Sequence, residues 1–312
     1  MPASVPEMTA DQAVAKAAEM LGDRAARDAP LGRRTTYRVG GVAALAVELE
    51  SRGDLELVSQ AVQQSGVEVL VVGKGSNLLV ADSGFRGLVL FVGGAGPWGE
   101  FDVRGEEVLS GAGVSLPVLA RRTAAAGRAG LEWAVGVPGS VGGAVRMNAG
   151  GHGSDVASHL VEAEVFDLGT GRSSSKTADD LQMRYRHSAL RPEELVVTAT
   201  FRTVAGDPSA SLAAIEEIVR WRRENQPGGQ NAGSVFINPE GDSAGRIVDA
   251  SGCRGMRLGS AEVSPRHANF IQADPNGRSG DVFALIREVQ RRVKDHLGVE
   301  LVPEVRLVGV FE

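Results

Sequence analysis

The spacing of apolar and polar residues predicts a chain that mixes amphipathic helices with short buried strands. In residues 281–297, apolar side chains recur every three or four positions and charged ones fill the rest, the pattern of a helix with one buried face. Residues 54–64 show the same period and end at Gly66, a common helix stop. Further helices are predicted over residues 9–21, attached loosely to the rest, over residues 115–127, with Ser115 as the cap, and over residues 212–223.

Apolar runs bounded by turn residues predict strands, and their order with the helices gives the fold class. The first hundred residues read strand, helix, strand, loop, strand, which indicates an α/β or α+β unit. The dipeptide Asp207-Pro208 interrupts the pattern, so we place a domain boundary near residue 206. Strands are predicted over residues 43–49, 67–72, 88–92, 160–168, 196–204, 234–237 and 301–310.

Glycine is the outlier of the composition and points to the region that carries chemistry. The 312 residues include 41 glycines, and nineteen of these lie within residues 71–151. They follow no three-residue period and stand between β-branched runs, so neither a collagen helix nor a disordered tract is indicated. Glycines in this setting serve sharp turns in a compact sheet or bring the backbone close to a ligand.

Charge, cysteine and histidine content exclude several classes of protein. With 33 Lys and Arg against 39 Asp and Glu, the net charge of −6 does not suit a general nucleic-acid binder. The single cysteine, Cys253, excludes an internal disulfide framework and cysteine-held metal clusters, and the histidines show no metal-ligand spacing, so no metal site is predicted. There is no membrane-spanning run, and residues 1–20 lack the apolar core of a signal peptide, so we expect a cytoplasmic protein.

The first glycine motif, V-L-V-V-G-K-G-S-N-L-L-V at residues 69–80, resembles two nucleotide-binding signatures and satisfies neither. A P-loop needs Ser or Thr after the lysine, but Lys74 is followed by Gly75. A dinucleotide fingerprint needs a third glycine opening a helix, where this chain has Leu78 in an extended run. Two interpretations remain: a turn whose free amides cradle an anion, or a plain turn.

Other segments hold candidate chemistry that the residues alone leave open. Residues 136–151, G-V-P-G-S-V-G-G-A-V-R-M-N-A-G-G, favour ligand binding over a structural sheet corner. Residues 185–188 read Y-R-H-S, and residues 232–239 read A-G-S-V-F-I-N-P without the G-x-S-x-G of a hydrolase. Glu304 interrupts the apolar run L-V-P-E-V-R-L-V-G, so its carboxyl either faces solvent or enters a pocket where its pKa is raised.

Together with S-P-R-H-A-N-F-I, these motifs stand in the order of one family. Over about residues 30–310 the chain resembles the UDP-N-acetylenolpyruvoylglucosamine reductase (MurB) family. The resemblance implies an α+β fold: an FAD-binding unit of the PCMH or vanillyl-alcohol-oxidase-like type with two subdomains, and a C-terminal α+β substrate-binding domain. The implied domains are an N-terminal helical extension at 1–28, the FAD-binding domain at 29–205, split near 95, the substrate domain at 206–300 and a final strand with the catalytic glutamate at 301–312.

The resemblance also implies roles for residues inside the motifs. Arg186 and Glu304 would stabilise the negative charge that builds up next to the substrate carboxylate, with Glu304 protonated, and Ser234 would deliver the final proton. A non-covalent FAD would be held by the two glycine-rich segments. The implied cofactor-binding residues are Gly73, Lys74, Gly75, Ser76, Asn77, Leu78, Gly136, Pro138, Gly139, Ser140, Gly142, Gly143, Asn148 and Gly150.

Substrate contacts are less sharply indicated, and the chain departs from the family pattern at some of them. Where the family usually has a lysine after S-x-F, this chain has Ile237. Where the family often has the aromatic residue of A-G-W-L-I, this chain has Arg246. The short spacing from Arg186 to Ser234 indicates the lidless form of the family. Candidate substrate-binding residues are Tyr185, Arg222, Gln226, Asn238 and His267, with Arg223 beside them.

The implied activity is NADPH-dependent reduction of UDP-N-acetylglucosamine enolpyruvate to UDP-N-acetylmuramate through FAD, in peptidoglycan precursor synthesis. NADPH is expected as co-substrate and a nucleotide sugar as substrate, with no nucleic-acid or membrane partner and a monomeric state. Two alternatives stay open: an oxidase of the vanillyl-alcohol-oxidase class, and a flavin-binding module without turnover. The first is disfavoured because His152 is the nearest candidate for a covalent flavin tether and lies just outside the glycine-rich loops.

Overall fold

The computed structural model describes residues 8–312. The helices are α1 (Ala10–Leu21), α2 (Gly53–Ser65), α3 (Leu116–Ala125), α4 (Val141–Met147), α5 (Pro208–Asn225), α6 (Ala244–Ala250) and α7 (Ser279–Leu297). The strands of the first hundred residues are β1 (Ala26–Ala29), β2 (Ala43–Leu49), β3 (Val69–Val72), β4 (Leu78–Val80) and β5 (Phe85–Val92). They are followed by β6 (Phe101–Arg104), β7 (Glu107–Gly111), β8 (Arg128–Ala129), β9 (Gly150–Gly151), β10 (Ser154–Asp155), β11 (Leu160–Asp167), β12 (Arg172–Lys176), β13 (Glu194–Arg202), β14 (Val204–Ala205), β15 (Arg257–Leu258), β16 (Ala261–Val263), β17 (Ile271–Ala273) and β18 (Arg306–Val308).

The first sheet is mixed and carries two helices on one face. Its strand order is β1-β2-β5-β3, with β2, β5 and β3 parallel and β1 antiparallel at the edge. Alternate residues of β5 enter different cores, Leu88 and Leu90 on the helix side and Val89 and Phe91 on the other. Helix α1 buries Ala17 completely against this core. The helix predicted over residues 9–21 is confirmed, but the prediction that it is loosely attached is wrong; residues 1–7 lie outside the described part.

The second sheet is antiparallel and shares its core with the first. Its order is β12-β11-β13-β7-β6. Buried residues of β11 and β13 join the same cluster as α1, α2 and the helix side of the first sheet. Helix α5, predicted to belong to the substrate domain, also packs here, since Ile215 lies in this cluster. The core therefore continues past residue 206 as far as Ile218 and Val219 of α5.

The C-terminal unit has a core of its own. A three-stranded meander of β15, β16 and β17 packs with α6 and α7. Helix α7 buries the face that its period predicts, including Val282, Leu285 and Val289, and it ends at Gly298 in the left-handed conformation.

Strand β4 joins the two units. It pairs in parallel with β18, so residues 78–80 and 306–308 lie side by side. Leu79 enters the C-terminal core, whereas Val80 enters the core on the outer face of the first sheet. One short strand is therefore part of both units.

Several predicted boundaries need correction. The strand predicted over 301–310 is regular only at β18, because Pro303 has no N–H to continue a ladder. The strand predicted over 234–237 is a single bridge from Phe236 to Pro303, since the side-chain amide of Asn269 takes the backbone bonds of Phe236. Ser115 occupies the N-cap position of α3 without a side-chain hydrogen bond. No helix in residues 8–312 is both long and apolar enough to cross a bilayer.

Candidate active site

A cleft of about 450 Å³ lies between the two units and collects most of the motifs. Its walls come from the loop between β3 and β4, from the segment around α4, from residues 226–234 and from the chain just before β18. The wall residues predicted as cofactor ligands are Gly73, Lys74, Gly75, Ser76, Asn77, Leu78, Gly136, Pro138, Gly139, Ser140, Gly143 and Gly150. The wall also includes Arg186, Ser234 and Glu304, so residues far apart in sequence meet in one place.

The β3–β4 loop is fixed by its own backbone. Gly75 has φ +59°, and a Cβ there would lie 2.8 Å from the carbonyl oxygen of Arg34. The N–H of Thr36 donates to the Gly75 carbonyl at 3.1 Å, which ties the loop to the segment before β2. Ser76 Oγ donates to the Pro138 carbonyl at 3.1 Å and so connects the two glycine-rich segments.

The second glycine-rich segment holds a helix that sequence reasoning missed. Helix α4 spans Val141–Met147, and its glycines obscured the helical pattern. A Cβ at Gly142 would contact Ala112, and one at Gly150 would lie 2.5 Å from the Ser154 carbonyl oxygen. These glycines therefore permit packing within the protein, whereas Gly143 meets nothing closer than Ser140 Oγ at 3.5 Å.

Two predicted cofactor ligands do not line the cleft. Gly142 faces a smaller neighbouring cavity of about 40 Å³. Asn148 is buried in the left-handed conformation, and its Nδ2 donates to Asp155 Oδ2 at 3.2 Å and to the Arg184 carbonyl at 3.1 Å. Its Oδ1 accepts from the N–H of Ala157 at 2.8 Å. The side-chain amide of Asn148 is thus used inside the protein and does not line the cleft, and its predicted cofactor contact stays a prediction.

Arg186 and Glu304 lie in contact in the cleft, and both side chains are partly buried. Arg186 Nε lies 2.8 Å from Glu304 Oε1, and the two side chains are only 18% and 17% exposed. The Nε–H is not aligned on that oxygen and is without a hydrogen-bond partner among the described residues. Arg186 Nη2 donates to the Gly150 carbonyl at 2.8 Å, and its φ of 54° places a non-glycine residue in the left-handed region. Such a conformation at a site residue is typical of a side chain whose direction matters.

The backbone connects Glu304 to both remaining parts of the site. The N–H of Glu304 donates to the carbonyl of Val235 at 2.7 Å, directly next to Ser234. Asn77 Nδ2 donates to the Glu304 carbonyl at 3.0 Å, and the Asn77 carbonyl accepts from the N–H of Arg306 at 2.9 Å. The β3–β4 loop therefore holds the peptide that carries the Glu304 carboxyl.

The environment of Glu304 raises the pKa of its carboxyl. Burial raises the pKa of the Glu304 carboxyl, and the neighbouring Arg186 guanidinium opposes that rise without cancelling it. Because its side chain is only 17% exposed and lines the cleft, the alternative of a solvent-facing Glu304 carboxylate is wrong. A protonated carboxyl beside a guanidinium can donate a hydrogen bond to negative charge that develops between them.

Sequence reasoning missed wall residues that include Thr36, Arg146 and Arg306. Thr36 Oγ1 is buried without a hydrogen-bond partner in residues 8–312. Arg146 extends from α4, and burial lowers the pKa of this guanidinium to about 10, helped by the charge of Arg306. Arg146 and Arg306 stood inside the quoted motifs, so the signal was present; Thr36 carried none.

The predicted substrate residues divide into two groups. Arg222 and Gln226 line the cleft, where Arg222 Nε donates to Gln226 Oε1 at 2.9 Å and burial lowers the pKa of Arg222. Tyr185, Asn238 and His267 do not line it. Tyr185 is 54% exposed under the Arg186 guanidinium.

The other two are engaged elsewhere. The Asn238 side chain accepts from the N–H of Ala244 at 3.0 Å, and His267 packs edge-on against Phe270. The departure at Arg246 lies away from the cleft wall in an ion pair with Asp242.

The charges of the cleft define the ligand class. Among its wall residues the cations are Lys74, Arg146, Arg186, Arg222 and Arg306, against the single carboxyl of Glu304. This excess stands in a chain whose net charge is −6. A glycine-lined, cationic cleft with an unpartnered buried hydroxyl suits an elongated ligand with several phosphate or carboxylate groups.

The fold and the site together define a class, an oxidoreductase built on an FAD-binding domain that a C-terminal domain covers. Residues 43–174 match an FAD binding domain, and residues 225–308 match the C-terminal domain of UDP-N-acetylenolpyruvoylglucosamine reductase. The UDP-N-acetylenolpyruvoylglucosamine reductases of Synechococcus sp. (strain RCC307) and Rubrobacter xylanophilus are 43% and 40% identical to the chain. These matches cover 91% and 90% of this chain and 94% of each relative.

A solved structure agrees with this assignment. The crystal structure of MurB from Thermus caldophilus superimposes with a TM-score of 0.78 at 34% identity, over 91% of this chain and 98% of that one. A BBE-like protein of Physcomitrella patens shares the fold at a TM-score of 0.54 and 15% identity, over 92% of this chain and 89% of that one. The chain belongs to the UDP-N-acetylenolpyruvoylglucosamine reductase family, and the predicted family and fold class are confirmed. It is an oxidoreductase of peptidoglycan precursor synthesis.

Proposed function

We propose that this chain reduces UDP-N-acetylglucosamine enolpyruvate to UDP-N-acetylmuramate with NADPH as the reductant and FAD as the carrier. The observation that supports it best is the meeting of Arg186, Glu304 and Ser234 in one cationic cleft. The Arg186 guanidinium and the Glu304 carboxyl are 2.8 Å apart, and a backbone hydrogen bond joins Glu304 to Val235, the residue that follows Ser234.

The residues of the cleft suit FAD. The diphosphate of the cofactor would lie against the β3–β4 loop, where glycine backbone and Lys74 offer positive partners. Thr36 Oγ1 would gain the hydrogen-bond partner that it lacks in the protein alone. When bound, FAD would supply hydride transfer, from NADPH in one half of the cycle and to the enolpyruvyl group in the other.

Arg186 and Glu304 would prepare the cleft for the charge of the reduced substrate. Addition of hydride to an enolpyruvyl group places negative charge on the carbon beside its carboxylate. A protonated Glu304 can donate to that carboxylate, while the Arg186 guanidinium offers a charged donor from the same side. Because both are largely withdrawn from water, they act without having to reorganise during the reaction.

Ser234 would complete the reaction by delivering a proton to the same carbon. Its hydroxyl lies in the cleft wall, and the preceding Gly233 has φ +77° with open space around its Cβ position. A serine hydroxyl is a weak acid, but the acceptor is a strongly basic carbanion-like centre, so the hydroxyl needs only to relay a proton.

Anaerobic spectroscopy of the purified protein tests the proposal. NADPH should bleach the flavin absorbance of the protein as isolated, and UDP-N-acetylglucosamine enolpyruvate should restore it within a single turnover. A protein that bleaches but is not reoxidised by this nucleotide would contradict the substrate assignment and leave the flavin assignment intact. A colourless protein that takes up no FAD would overturn the whole proposal.

A further inference from the structure

The two units are joined at a second point besides the pairing of β4 with β18. Asp82 follows β4 by two residues and lies at the N-terminus of α7, in the other unit. Its Oδ1 accepts from the N–H of Ser279 at 3.0 Å and from Ser279 Oγ at 2.8 Å, and its Oδ2 accepts from the N–H of Gly280 at 3.1 Å. A carboxylate from 197 residues away thus does what an N-cap side chain normally does within its own helix.

Helix α7 is the element on which the C-terminal unit is organised. Its buried face packs against the β15–β17 meander, and Val235 and Phe236, which directly follow Ser234, lie in the same core. A change in the direction of α7 relative to β4 would therefore displace Ser234 relative to the β3–β4 loop. Asp82, Ser279 and Gly280 are not among the wall residues of the cleft.

The interaction is strong for a contact that is partly open to solvent. Three donors converge on one carboxylate at the positive end of a helix of 19 residues. Arg278 Nε lies 3.6 Å from Asp82 Oδ2. The hydrogen bonds from Ser279 and Gly280 hold the pKa of Asp82 below its usual range against the effect of burial, so the carboxylate stays charged at neutral pH. Asp82 therefore adds a contact at the start of α7 to the β4–β18 ladder and the Asn77–Glu304 hydrogen bond, which also join the two units.

We propose that Asp82 is a positioning residue for the reaction, because capping α7 across the two units holds Ser234 in register with the cofactor loop. This inference rests on the proposed function of Ser234. Reduction of the flavin by NADPH makes no use of the Ser234 hydroxyl, whereas reoxidation by the enolpyruvyl nucleotide needs that hydroxyl beside the reacting carbon.

A matched pair of variants separates positioning from stability. Asp281, in the first turn of α7, accepts from the N–H and Oγ of Ser260 at 2.8 and 2.7 Å, so it makes comparable hydrogen bonds that stay within the C-terminal unit. In the FAD-loaded enzyme, Asp82→Ala should slow reoxidation by the enolpyruvyl nucleotide about 10- to 100-fold, since small displacements at a reacting centre have effects of that order. Its NADPH-driven reduction of ferricyanide should change less than about twofold. Asp281→Ala should leave both rates unchanged, and Asp82→Asn, which keeps one acceptor, should restore part of the lost rate.

A distance measurement tests the same inference without any activity. Cys253 is buried, so cysteines introduced by Glu56→Cys on α2 and Arg287→Cys on α7 can be spin-labelled selectively. Double electron–electron resonance measures the distance between the two spin labels. The parent protein and Asp281→Ala should each give one narrow distance distribution, whereas Asp82→Ala should give a broadened or shifted one. An unchanged distribution in Asp82→Ala, or equal losses in both half-reactions, would overturn the positioning role. If the enolpyruvyl nucleotide fails to reoxidise the parent enzyme, that result counts against the proposed function. The distance measurement would still decide whether Asp82 fixes the angle between the two units.

Discussion

At the scale of single residues, the protonation of Glu304 links the structure to pH. Its folded pKa is raised above the ordinary value of 4.5, so the stability that the neutral form contributes is complete below 4.5 and is lost as the pH rises through the folded pKa. The rate of the second half-reaction, the reoxidation of the flavin, should depend on pH in the same direction. It should be highest at acid pH and should fall as Glu304 ionises.

The variant Glu304→Gln tests that assignment. It keeps an N–H donor without an ionisable group, so reoxidation by the enolpyruvyl nucleotide should persist at a reduced rate and lose its decline at alkaline pH. Glu304→Ala, which removes the donor, should slow this step by about 100- to 1,000-fold. A decline that survives in Glu304→Gln would assign the titration to another group.

Ser234→Ala should separate hydride transfer from proton delivery. Loss of a positioned acid typically slows a reaction by about 100- to 10,000-fold, and here only reoxidation of the flavin should suffer. Ser243→Ala is the matched control, because Ser243 caps α6 outside the cleft wall. Stopped-flow absorbance after mixing reduced enzyme with substrate measures both variants, and equal rates in the two would exclude Ser234 as the proton donor.

At the scale of elements, the β3–β4 loop depends on Gly75. Gly75→Ala adds a Cβ 2.8 Å from backbone atoms in a left-handed conformation, so it should destabilise the protein by more than the roughly 1–2 kcal/mol of that conformation alone and weaken FAD binding. Gly66→Ala is the control, since its φ of +66° is similar but its Cβ position is open and lies at the end of α2. Urea unfolding measures the loss of stability, and FAD titration measures the loss of cofactor affinity. Equal FAD affinity in both variants would contradict FAD binding by the β3–β4 loop.

The elements also show where the sequence was sufficient. Helices α2, α5 and α7 and strands β2, β3, β5 and β11 follow from periodicity, because each buries one face or both on a continuous core. Helix α4 was missed since its glycines lower helix propensity and its packing is tertiary. The six motifs located the site, but only the fold shows that Arg306 enters the cleft and that the Asn148 amide does not.

At the scale of the whole molecule, the cleft concentrates positive charge on a chain of net charge −6. Capture of anionic ligands should therefore weaken with salt, because exposed charges are screened beyond about 8 Å at physiological ionic strength. Arg306→Gln should lower the association rate of the nucleotide sugar and flatten its salt dependence. Arg287→Gln, an exposed change outside the cleft wall, should do neither. Stopped-flow association at several salt concentrations decides between them, and equal salt slopes would exclude steering by the cleft.

The hydrogen bond from Asn77 to Glu304 spans 227 residues and therefore bears on how the protein folds. Contacts of such long range close a large loop of chain, so they form late and raise the contact order. The first unit can build most of its core before the segment with Glu304 docks beside β4. Activity should consequently appear after the bulk of the secondary structure during refolding, and it should be lost first when the native state opens locally.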